Sequence, residues 1–279
     1  MYTLAYSPCP NDTYIFAALT KGMLEDAPQV GAHLADIEEL NTAAQRGEYE
    51  LTKVSYGAIP FLMDRYRILP SGGALGRGCG PLLVAKPAQA PPLFADFAKK
   101  RIAIPGEHTT ALMLLQLALG TRPKTVTMRF DQIIPAVAAG EVDGGLIIHE
   151  SRFTYREAGL IAIADLGELW ENMTLLPIPL GAILVRNDVS DQEAARLNAA
   201  IRRSLAFARA NEATVMPYVR EHAVEMNDDV MRAHIELYVN DFTDDLGTVG
   251  REAVAALFAR AHEAGILRHQ VEPCFAAVS

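Results

Sequence analysis

Polar side chains follow four apolar, strand-like runs of the sequence, at the point where each run ends. They are Ser7 to Asp12 in "AYSPCPND", Lys53 and Ser55 in "LTKVSYG", Thr109 and Thr110 in "GEHTTA", and His149 in "LIIHES". The carboxyl ends of parallel strands lie at one edge of a sheet, so these side chains are expected to meet in one cleft. Hydroxyl and amide groups can bind the oxygens of a small acid there, and an imidazole can remove a proton without a metal. The pattern therefore predicts a small-molecule site with an acid–base residue.

His149 is the candidate general base. The preceding "GGLII" is typical of a buried strand, and the histidine comes where that strand emerges into the cleft. A lone histidine is more often a structural residue, and this alternative stays open, although the position at a strand end favours catalysis. Glu150 or Ser151 is placed to orient the ring.

Thr109 and Thr110 open an apolar helix, where unpaired N–H groups and the helix dipole attract a carboxylate. Simple N-capping by a threonine hydroxyl is the alternative. Ser55 has two corresponding interpretations, because it precedes the apolar "GAIPFLM" and either caps that segment or binds a ligand oxygen. Lys53 alternates away from the core and would, alone, be a solvated charge.

The proline corner "SPCPND" joins the first predicted strand to the first predicted helix. Its prolines fix the path of the backbone, while Asn11 and Asp12 are predicted to cap the helix and to contact substrate or the opposite lobe. Cys9 lies near the helix N-terminus, where a thiol pKa can be lowered, so a nucleophilic or redox role is one interpretation. With no second cysteine nearby, a small packing residue is favoured.

Two passages repeat one order of elements. "YTLAY" (2–6) and "RIAI" (101–104) are predicted strands, each followed by a proline turn and an apolar helix. Segments 34–56 and 126–150 each continue with strand, helix, glycine–acid turn and strand. The predicted fold is therefore α/β with two βαβαβ lobes, each a mainly parallel sheet flanked by helices, and a ligand cleft between the lobes.

Two extended segments with flanking Gly and Pro residues, 78–87 and 179–188, are predicted to carry the chain from the first lobe to the second and back. The C-terminal third is almost wholly helical by its apolar periodicity and is predicted to pack on the first lobe. Residues 1–85 and 182–279 would then form the larger lobe, and residues 86–181 the smaller one.

Composition argues against several partners and chemistries. The chain has 34 acidic and 25 basic residues and a formal net charge of -9, which disfavours nucleic acid and anionic membranes as partners. Three cysteines without a C-x-x-C pair and a start without a secretory pattern favour a cytoplasmic protein. No H-E-x-x-H, zinc-spaced Cys/His set, Walker loop or G-x-S-x-G occurs, so the chemistries that these motifs carry are set aside. The glycine-rich segment 71–81 fits no phosphate loop and predicts close backbone approach or a hinge.

The combination of "SPCPNDTYIF", "LTKVSYGA", "PGEHTTA" and "DGGLIIHESRFTY" resembles the 1,4-dihydroxy-6-naphthoate synthase family of the futalosine route to menaquinone. The resemblance implies a fold like that of type II periplasmic binding proteins, kept in the cytoplasm. It also implies a cofactor-independent lyase that converts cyclic dehypoxanthine futalosine to 1,4-dihydroxy-6-naphthoate and dihydroxyacetone. His149 is the implied proton-abstracting base. The implied substrate-contacting residues are Lys53, Val54, Ser55, Thr109 and Thr110.

Two other functions remain open at this point. A non-catalytic protein that captures a small carboxylate by hinge closure uses the same two-lobed fold. The sister enzyme of the same route, chorismate dehydratase, also shares it, although the "SPCPND" corner favours the naphthoate synthase. A small-molecule carboxylate is the expected partner, and the sequence leaves the oligomeric state open, a homodimer included.

Overall fold

The computed structural model describes residues 1–89, 92–224 and 227–278, in which two five-stranded sheets are flanked by helices. The strands are β1 (Tyr2–Tyr6), β2 (Val30–Leu34), β3 (Leu51–Ser55), β4 (Tyr66–Gly76), β5 (Leu82–Ala85), β6 (Arg101–Ile104), β7 (Lys124–Thr127), β8 (Gly144–Ile147), β9 (Ile161–Asp165) and β10 (Ile178–Arg186). The α-helices are α1 (Pro10–Thr20), α2 (Ile37–Gln45), α3 (Thr110–Leu119), α4 (Phe130–Ala139), α5 (Ser151–Thr154), α6 (Leu166–Thr174), α7 (Asp191–Ala210), α8 (Glu212–His222), α9 (Asp228–Tyr238), α10 (Asp241–Asp244) and α11 (Gly247–Glu263). Short 3₁₀ segments occupy Ile59–Phe61 and Phe94–Lys99. None of the helices in these ranges has the length and apolar character needed to cross a bilayer.

The two sheets share one topology. Strand order is β2-β1-β3-β10-β4 in the first sheet and β7-β6-β8-β5-β9 in the second, and the first three strands of each are parallel. The helices α2 and α4 are each followed by a glycine with positive φ, Gly47 at 69° and Gly140 at 78°. Glycine adopts this conformation without the steric penalty of a side chain, so both helices stop at equivalent places. The two predicted βαβαβ lobes are confirmed.

The strands β5 and β10 carry the chain between the lobes and make each sheet mixed. β5 pairs antiparallel with β8 and β9, and β10 pairs antiparallel with β3 and β4. This pairing differs from the predicted lobe boundaries by a few residues. Leu82 to Ala85 lie before residue 86 yet belong to the second sheet, because their backbone groups pair there. The first sheet resumes at Ile178, before residue 182.

Helices of the C-terminal third share a core with the first sheet. Ile201 and Leu205 of α7 and Met216 of α8 belong to one buried cluster with Leu4 of β1 and Phe16 of α1. Full burial of each such side chain contributes about 1.5–3 kcal/mol. The helices therefore fix α1, whose first turn reaches the cleft, against the sheet.

The glycine-rich segment 71–81 brings backbones into close contact. A Cβ atom on Gly80 would lie 2.3 Å from backbone atoms of Gly167, and one on Gly73 would lie 2.9 Å from the carbonyl oxygen of Gly181. Any side chain at these positions would force the two segments apart. The predicted close approach of this segment is confirmed.

Candidate functional site

A cavity lies between the two sheets, at the carboxyl ends of β1, β3 and β8. Its empty volume is about 630 Å³, part of which is open to solvent, and both lobes contribute walls. Small-molecule sites of two-lobed α/β proteins are typically clefts in this position, at the carboxyl ends of the strands. The predicted site residues that line it are Asn11, Asp12, Lys53, Ser55, Thr109, Thr110 and His149.

Val54 is the exception among the predicted site residues. Its side chain is fully buried in the apolar core of the protein and is absent from the cavity wall. Successive side chains of a strand point to opposite faces, so β3 presents Lys53 and Ser55 to the cavity and Val54 to the core. A side-chain contact of Val54 with substrate is therefore not supported.

Asp12 and Lys53 form a buried ion pair in the cavity wall. Their side chains are 1% and 6% exposed, and Lys53 Nζ donates to Asp12 Oδ1. Ser7 Oγ donates to Asp12 Oδ2 at 2.7 Å, and Asn11 Nδ2 donates to Oδ1 at 2.8 Å. The three hydrogen bonds compensate the carboxylate for the water it has lost. Lys53 is thus a paired and buried charge, not a solvated one.

The proline corner places Asn11 and Asp12 differently from the prediction. α1 begins at Pro10, and Cys9 is its N-cap residue, with no side-chain cap. Proline suits the first helical position because it has no N–H to leave unpaired and its φ is already helical. Predicted capping by Asn11 and Asp12 is therefore wrong. Both lie in the first turn, where their side chains bond to neighbours in the cavity wall.

Ser55 is held by Asn41 of α2. The Ser55 N–H donates to Asn41 Oδ1 at 2.9 Å, and Asn41 Nδ2 donates to Ser55 Oγ at 3.2 Å. The next 3₁₀ segment has Ala58 as its N-cap residue, so Ser55 is not its cap. Within the described ranges the Ser55 hydroxyl finds no acceptor, and it can donate to a ligand oxygen in the cavity.

Thr109 caps helix α3. Its Oγ1 accepts a hydrogen bond from the N–H of Leu112 at 3.3 Å and donates to the carbonyl of Gly106 at 2.9 Å. The capping alternative is thus correct for this hydroxyl. The N–H groups of Thr110 and Ala111 in the first turn have no acceptor among residues 1–89, 92–224 and 227–278, and both residues line the cavity. They are available to an anion.

Thr110 joins the two lobes through its hydroxyl. Oγ1 donates to the carbonyl of Leu180 on β10 at 2.8 Å and accepts from the N–H of Gly57 at 3.0 Å. The hydroxyl is therefore occupied by the protein and does not serve a ligand. The contact brings the backbone after β3 directly against the start of α3.

Gly57→Ala is expected to push the lobes apart. A Cβ atom there would lie 2.8 Å from the carbonyl carbon and oxygen of Thr109. Overpacking of this kind costs about 1–3 kcal/mol, which chemical denaturation should detect together with weaker ligand binding. Gly31→Ala on the edge strand β2 is the matched control, since its nearest atoms are 4.0 Å away. Equal losses in the two variants would contradict the steric explanation.

Glu38 of α2 links the first lobe to the segment before α3. Its Oε1 accepts from the N–H groups of Glu107 at 2.9 Å and His108 at 3.3 Å, while Oε2 accepts from Asn41 Nδ2 at 2.9 Å. The Glu38 carboxylate, whose Oε1 lies 3.4 Å from His108 Nδ1, raises the pKa of His108 above its ordinary value of 6.5. Because Asn41 also holds Ser55, the contact between the lobes is coupled to a cavity residue.

Glu38→Gln is expected to lower the pKa of His108 toward 6.5. Because the pKa of His108 is raised in the folded protein, the His108–Glu38 pair stabilises the fold to its full extent below pH 6.5. This stabilisation is lost as the pH rises through the raised pKa. NMR titration of His108 in both proteins measures the change. Glu39→Gln removes an equal, exposed charge from the same helix and should leave the pKa nearly unchanged. An unaltered titration in Glu38→Gln would show that the carboxylate is not the cause.

His149 follows β8 with a left-handed backbone, φ 56°. Such a conformation is uncommon outside glycine and recurs at functional sites. The ring packs edge-on against Phe130, with centroids 5.1 Å apart. Burial lowers the pKa of His149 to about 4, an effect that the Asp12 carboxylate partly opposes and the Lys53 ammonium adds to. At neutral pH the imidazole is uncharged and has a free lone pair, as a general base requires.

Cys9 and Glu150 lie beside His149, with one polar atom from each of the three within 4.8 Å of the others. Such donors can bind a metal ion, provided that the thiol loses its proton. Burial raises the pKa of the Cys9 thiol, and the negative charges of Glu150 and Asp12 raise it further. The predicted lowering of the Cys9 pKa is therefore wrong. The alternative interpretation, a small buried packing residue, agrees with the burial of Cys9. An orienting role for Glu150 or Ser151 stays a prediction.

His234 of α9 is a cavity residue that the sequence did not predict. It is fully buried, its Nε2 lies 2.9 Å from Asn11 Oδ1, and its ring is stacked with that of His149 at a centroid distance of 6.4 Å. The available signal was its spacing, since Met231, His234 and Tyr238 occupy the buried face of α9. A histidine on the buried face of a helix is not needed for apolar packing, so its presence there indicates a further role.

A profile for a menaquinone biosynthesis family matches residues 2–263 of the chain. A protein of Thermus thermophilus named 1,4-dihydroxy-6-naphthoate synthase is 49% identical over 274 residues, which is 98% of either chain. A Streptomyces coelicolor protein of the same name is 46% identical over 269 residues, covering 95% of this chain and 94% of that one. The chain belongs to the 1,4-dihydroxy-6-naphthoate synthase family. The predicted family and its part in menaquinone biosynthesis are thus confirmed.

Solved structures place this naphthoate synthase family member among binding-protein folds. An Archaeoglobus fulgidus protein is 35% identical, with a TM-score of 0.89, covering 95% of this chain and 98% of that one. An alkanesulfonate-binding protein of Xanthomonas axonopodis is 14% identical, with a TM-score of 0.75, covering 98% and 96%. At such low identity the second likeness concerns the fold alone. The predicted periplasmic-binding-protein-like architecture is confirmed.

Proposed function

We propose that the chain is a carbon–carbon lyase that converts cyclic dehypoxanthine futalosine to 1,4-dihydroxy-6-naphthoate and dihydroxyacetone. The observation that carries the proposal is the neutral imidazole of His149 in a cavity built from both lobes. Membership of the naphthoate synthase family supports the choice of substrate. The proposed partner is this small carboxylate alone, and the proposed compartment is the cytoplasm.

In this proposal the substrate carboxylate binds at the first turn of α3. The N–H groups of Thr110 and Ala111 and the positive end of the helix dipole favour an anion there, and the Ser55 hydroxyl donates to a neighbouring oxygen. Asp12 already neutralises Lys53, so the ammonium contributes less to binding of the substrate carboxylate than a free lysine would. The proposed carboxylate contacts thus come from residues other than the proposed base.

His149 removes the proton next to the carbon–carbon bond that breaks. The electron pair of that C–H bond enters the ring, and the pair of the broken carbon–carbon bond leaves with the three-carbon fragment, which takes the proton back from the imidazolium. The aromaticity of the product ring offsets the low proton affinity of the partly buried imidazole. Closure of the two lobes around the substrate holds the reacting carbon against the ring and excludes water. No step of this scheme requires a metal or a cofactor.

Incubation with cyclic dehypoxanthine futalosine tests the proposal. Mass spectrometry is expected to find 1,4-dihydroxy-6-naphthoate and dihydroxyacetone in equal amounts, with the same rate in the presence of EDTA. Chorismate is offered in parallel, because loss of water from it would identify the sister enzyme, chorismate dehydratase. Saturable binding of either compound with no product would favour a non-catalytic carboxylate-binding protein.

A further inference from the structure

His234 is held in one tautomer by the polar groups around Asp12. Asn11 Nδ2 donates to Asp12 Oδ1, so the amide oxygen of Asn11 faces His234. An amide oxygen only accepts, and His234 Nε2, 2.9 Å away, therefore carries the proton. Burial lowers the pKa of His234 well below 6.5, and His149 and Lys53 lower it further. The ring is neutral, with Nε2 protonated and Nδ1 bare.

The Nδ1 atom of His234 has no hydrogen-bond partner in the part of the chain that the structure describes. The side chain is fully buried, so water does not replace that partner freely. A buried polar atom without a partner is rare in folded proteins and calls for a physical explanation. His234 lines the same cavity as His149, and a ligand in this cavity can supply the missing donor.

We propose that His234 is a substrate-binding residue whose Nδ1 accepts a hydrogen bond from a hydroxyl of the ligand. The choice of ligand rests on the proposed function. The stacked rings of His149 and His234 place this hydroxyl on the reacting part of the molecule, near the carbon that loses its proton. The carboxylate binds elsewhere, at Ser55 and α3. An atom that only accepts selects a hydroxyl over a hydrogen or an ether at that position.

If His234 had a structural role only, its one polar function would be the hydrogen bond from Nε2 to Asn11 Oδ1, and Nδ1 would have none. Two substitutions separate the roles. His234→Gln can place an amide nitrogen near the Nε2 position and keep donation to Asn11, but it has no acceptor near Nδ1. His234→Asn can place an amide oxygen near Nδ1 and loses the bond to Asn11. The first variant removes the proposed role, and the second removes the structural one.

The experiment measures the affinity of two acids by titration calorimetry without oxygen. One is 1,4-dihydroxy-6-naphthoate, and the other is 2-naphthoate, which lacks both hydroxyls. The unmodified protein is expected to bind the dihydroxy acid about 10-fold to 100-fold more tightly. His234→Gln is expected to reduce this preference to less than about threefold, and His234→Asn to retain a larger part of it. His33→Phe, an exposed histidine outside the cavity, should keep the full preference.

The tautomer has a separate measurement. Nitrogen NMR at neutral pH is expected to find Nδ1 of His234 unprotonated, and a proton on Nδ1 would overturn the proposal. An undiminished preference in His234→Gln, or no preference in the unmodified protein, would also overturn it. Failure of both acids to bind would overturn the proposal for His234, whereas the proposed function would fall only if cyclic dehypoxanthine futalosine were not turned over. Preference for the dihydroxy acid without turnover of cyclic dehypoxanthine futalosine would contradict the proposed function and leave His234 as the hydroxyl acceptor.

Discussion

His149→Asn is expected to abolish turnover while leaving ligand affinity nearly unchanged. A positioned general base contributes about 10² to 10⁴-fold to the rate, so kcat should fall by a factor in this range. Affinity should persist because the proposed carboxylate contacts belong to Ser55 and the first turn of α3. Asparagine is the suitable replacement, since it tolerates the left-handed backbone at this position better than alanine does.

Single-turnover rates and calorimetric affinities of the two proteins measure this effect. His269→Asn, at an exposed position outside the helices and strands, is the control and should turn over normally. The pH profile adds a second readout, because a base with a pKa of about 4 gives an acid limb near that pH in kcat/KM, well below the ordinary range of histidine. Near-normal turnover in His149→Asn would remove this residue from the mechanism.

The strand-end residues were predictable because their positions depend on local patterns. An apolar run such as "GGLII" identifies a buried strand, and the next polar residue, His149, must lie at its carboxyl end. The helix–glycine–strand order around Gly47 and Gly140 likewise revealed two equivalent lobes. The alternation in β3 even contained the reason to exclude Val54, whose neighbours on both sides face the cavity. Period-two and period-3.6 patterns are sufficient for predictions of this kind.

The partners of those residues were not predictable, since they come from distant parts of the chain. Asn11 meets His234 across 223 residues, and Thr110 meets Leu180 across 70. No local spacing encodes such contacts, because they depend on how α9 and β10 pack against the lobes. From the sequence alone, Lys53 was a solvated charge and Thr110 a carboxylate-binding or capping residue, and the packing gave the side chain of each a partner in the protein.

Both histidines in the cavity are kept neutral by the same packing. Burial is the main cause of the lowered pKa of His149 and of His234, and the Lys53 ammonium adds to both. Asp12 pairs with this ammonium and so limits its effect on the rings. The ion pair thus has an electrostatic consequence for the site beyond its contribution to the fold.

Lys53→Met is expected to lower the free energy of unfolding by about 3–5 kcal/mol. Methionine retains much of the length and apolar stem of lysine, so the packing changes little, but the Asp12 carboxylate is left buried without its counter-charge. Ser7 and Asn11 still donate to Asp12 and cannot replace a full positive charge. Urea denaturation at neutral pH measures the loss. Arg129→Met breaks an exposed pair with Asp131 and should cost less than about 1 kcal/mol.

The double variant Asp12→Asn/Lys53→Met distinguishes loss of charge balance from loss of packing. It contains neither buried charge, and the asparagine can still accept from Ser7, so it should recover most of the stability that Lys53→Met loses. The unmodified protein, the single variants Asp12→Asn and Lys53→Met, and the double variant together give the coupling energy of the pair. A double variant as unstable as Lys53→Met would mean that the ammonium is required for a reason other than Asp12. The two variants that lack the Asp12 charge also differ in the pKa of His149. It should be higher in the double variant than in Asp12→Asn, because only the single variant keeps the Lys53 ammonium, which lowers this pKa.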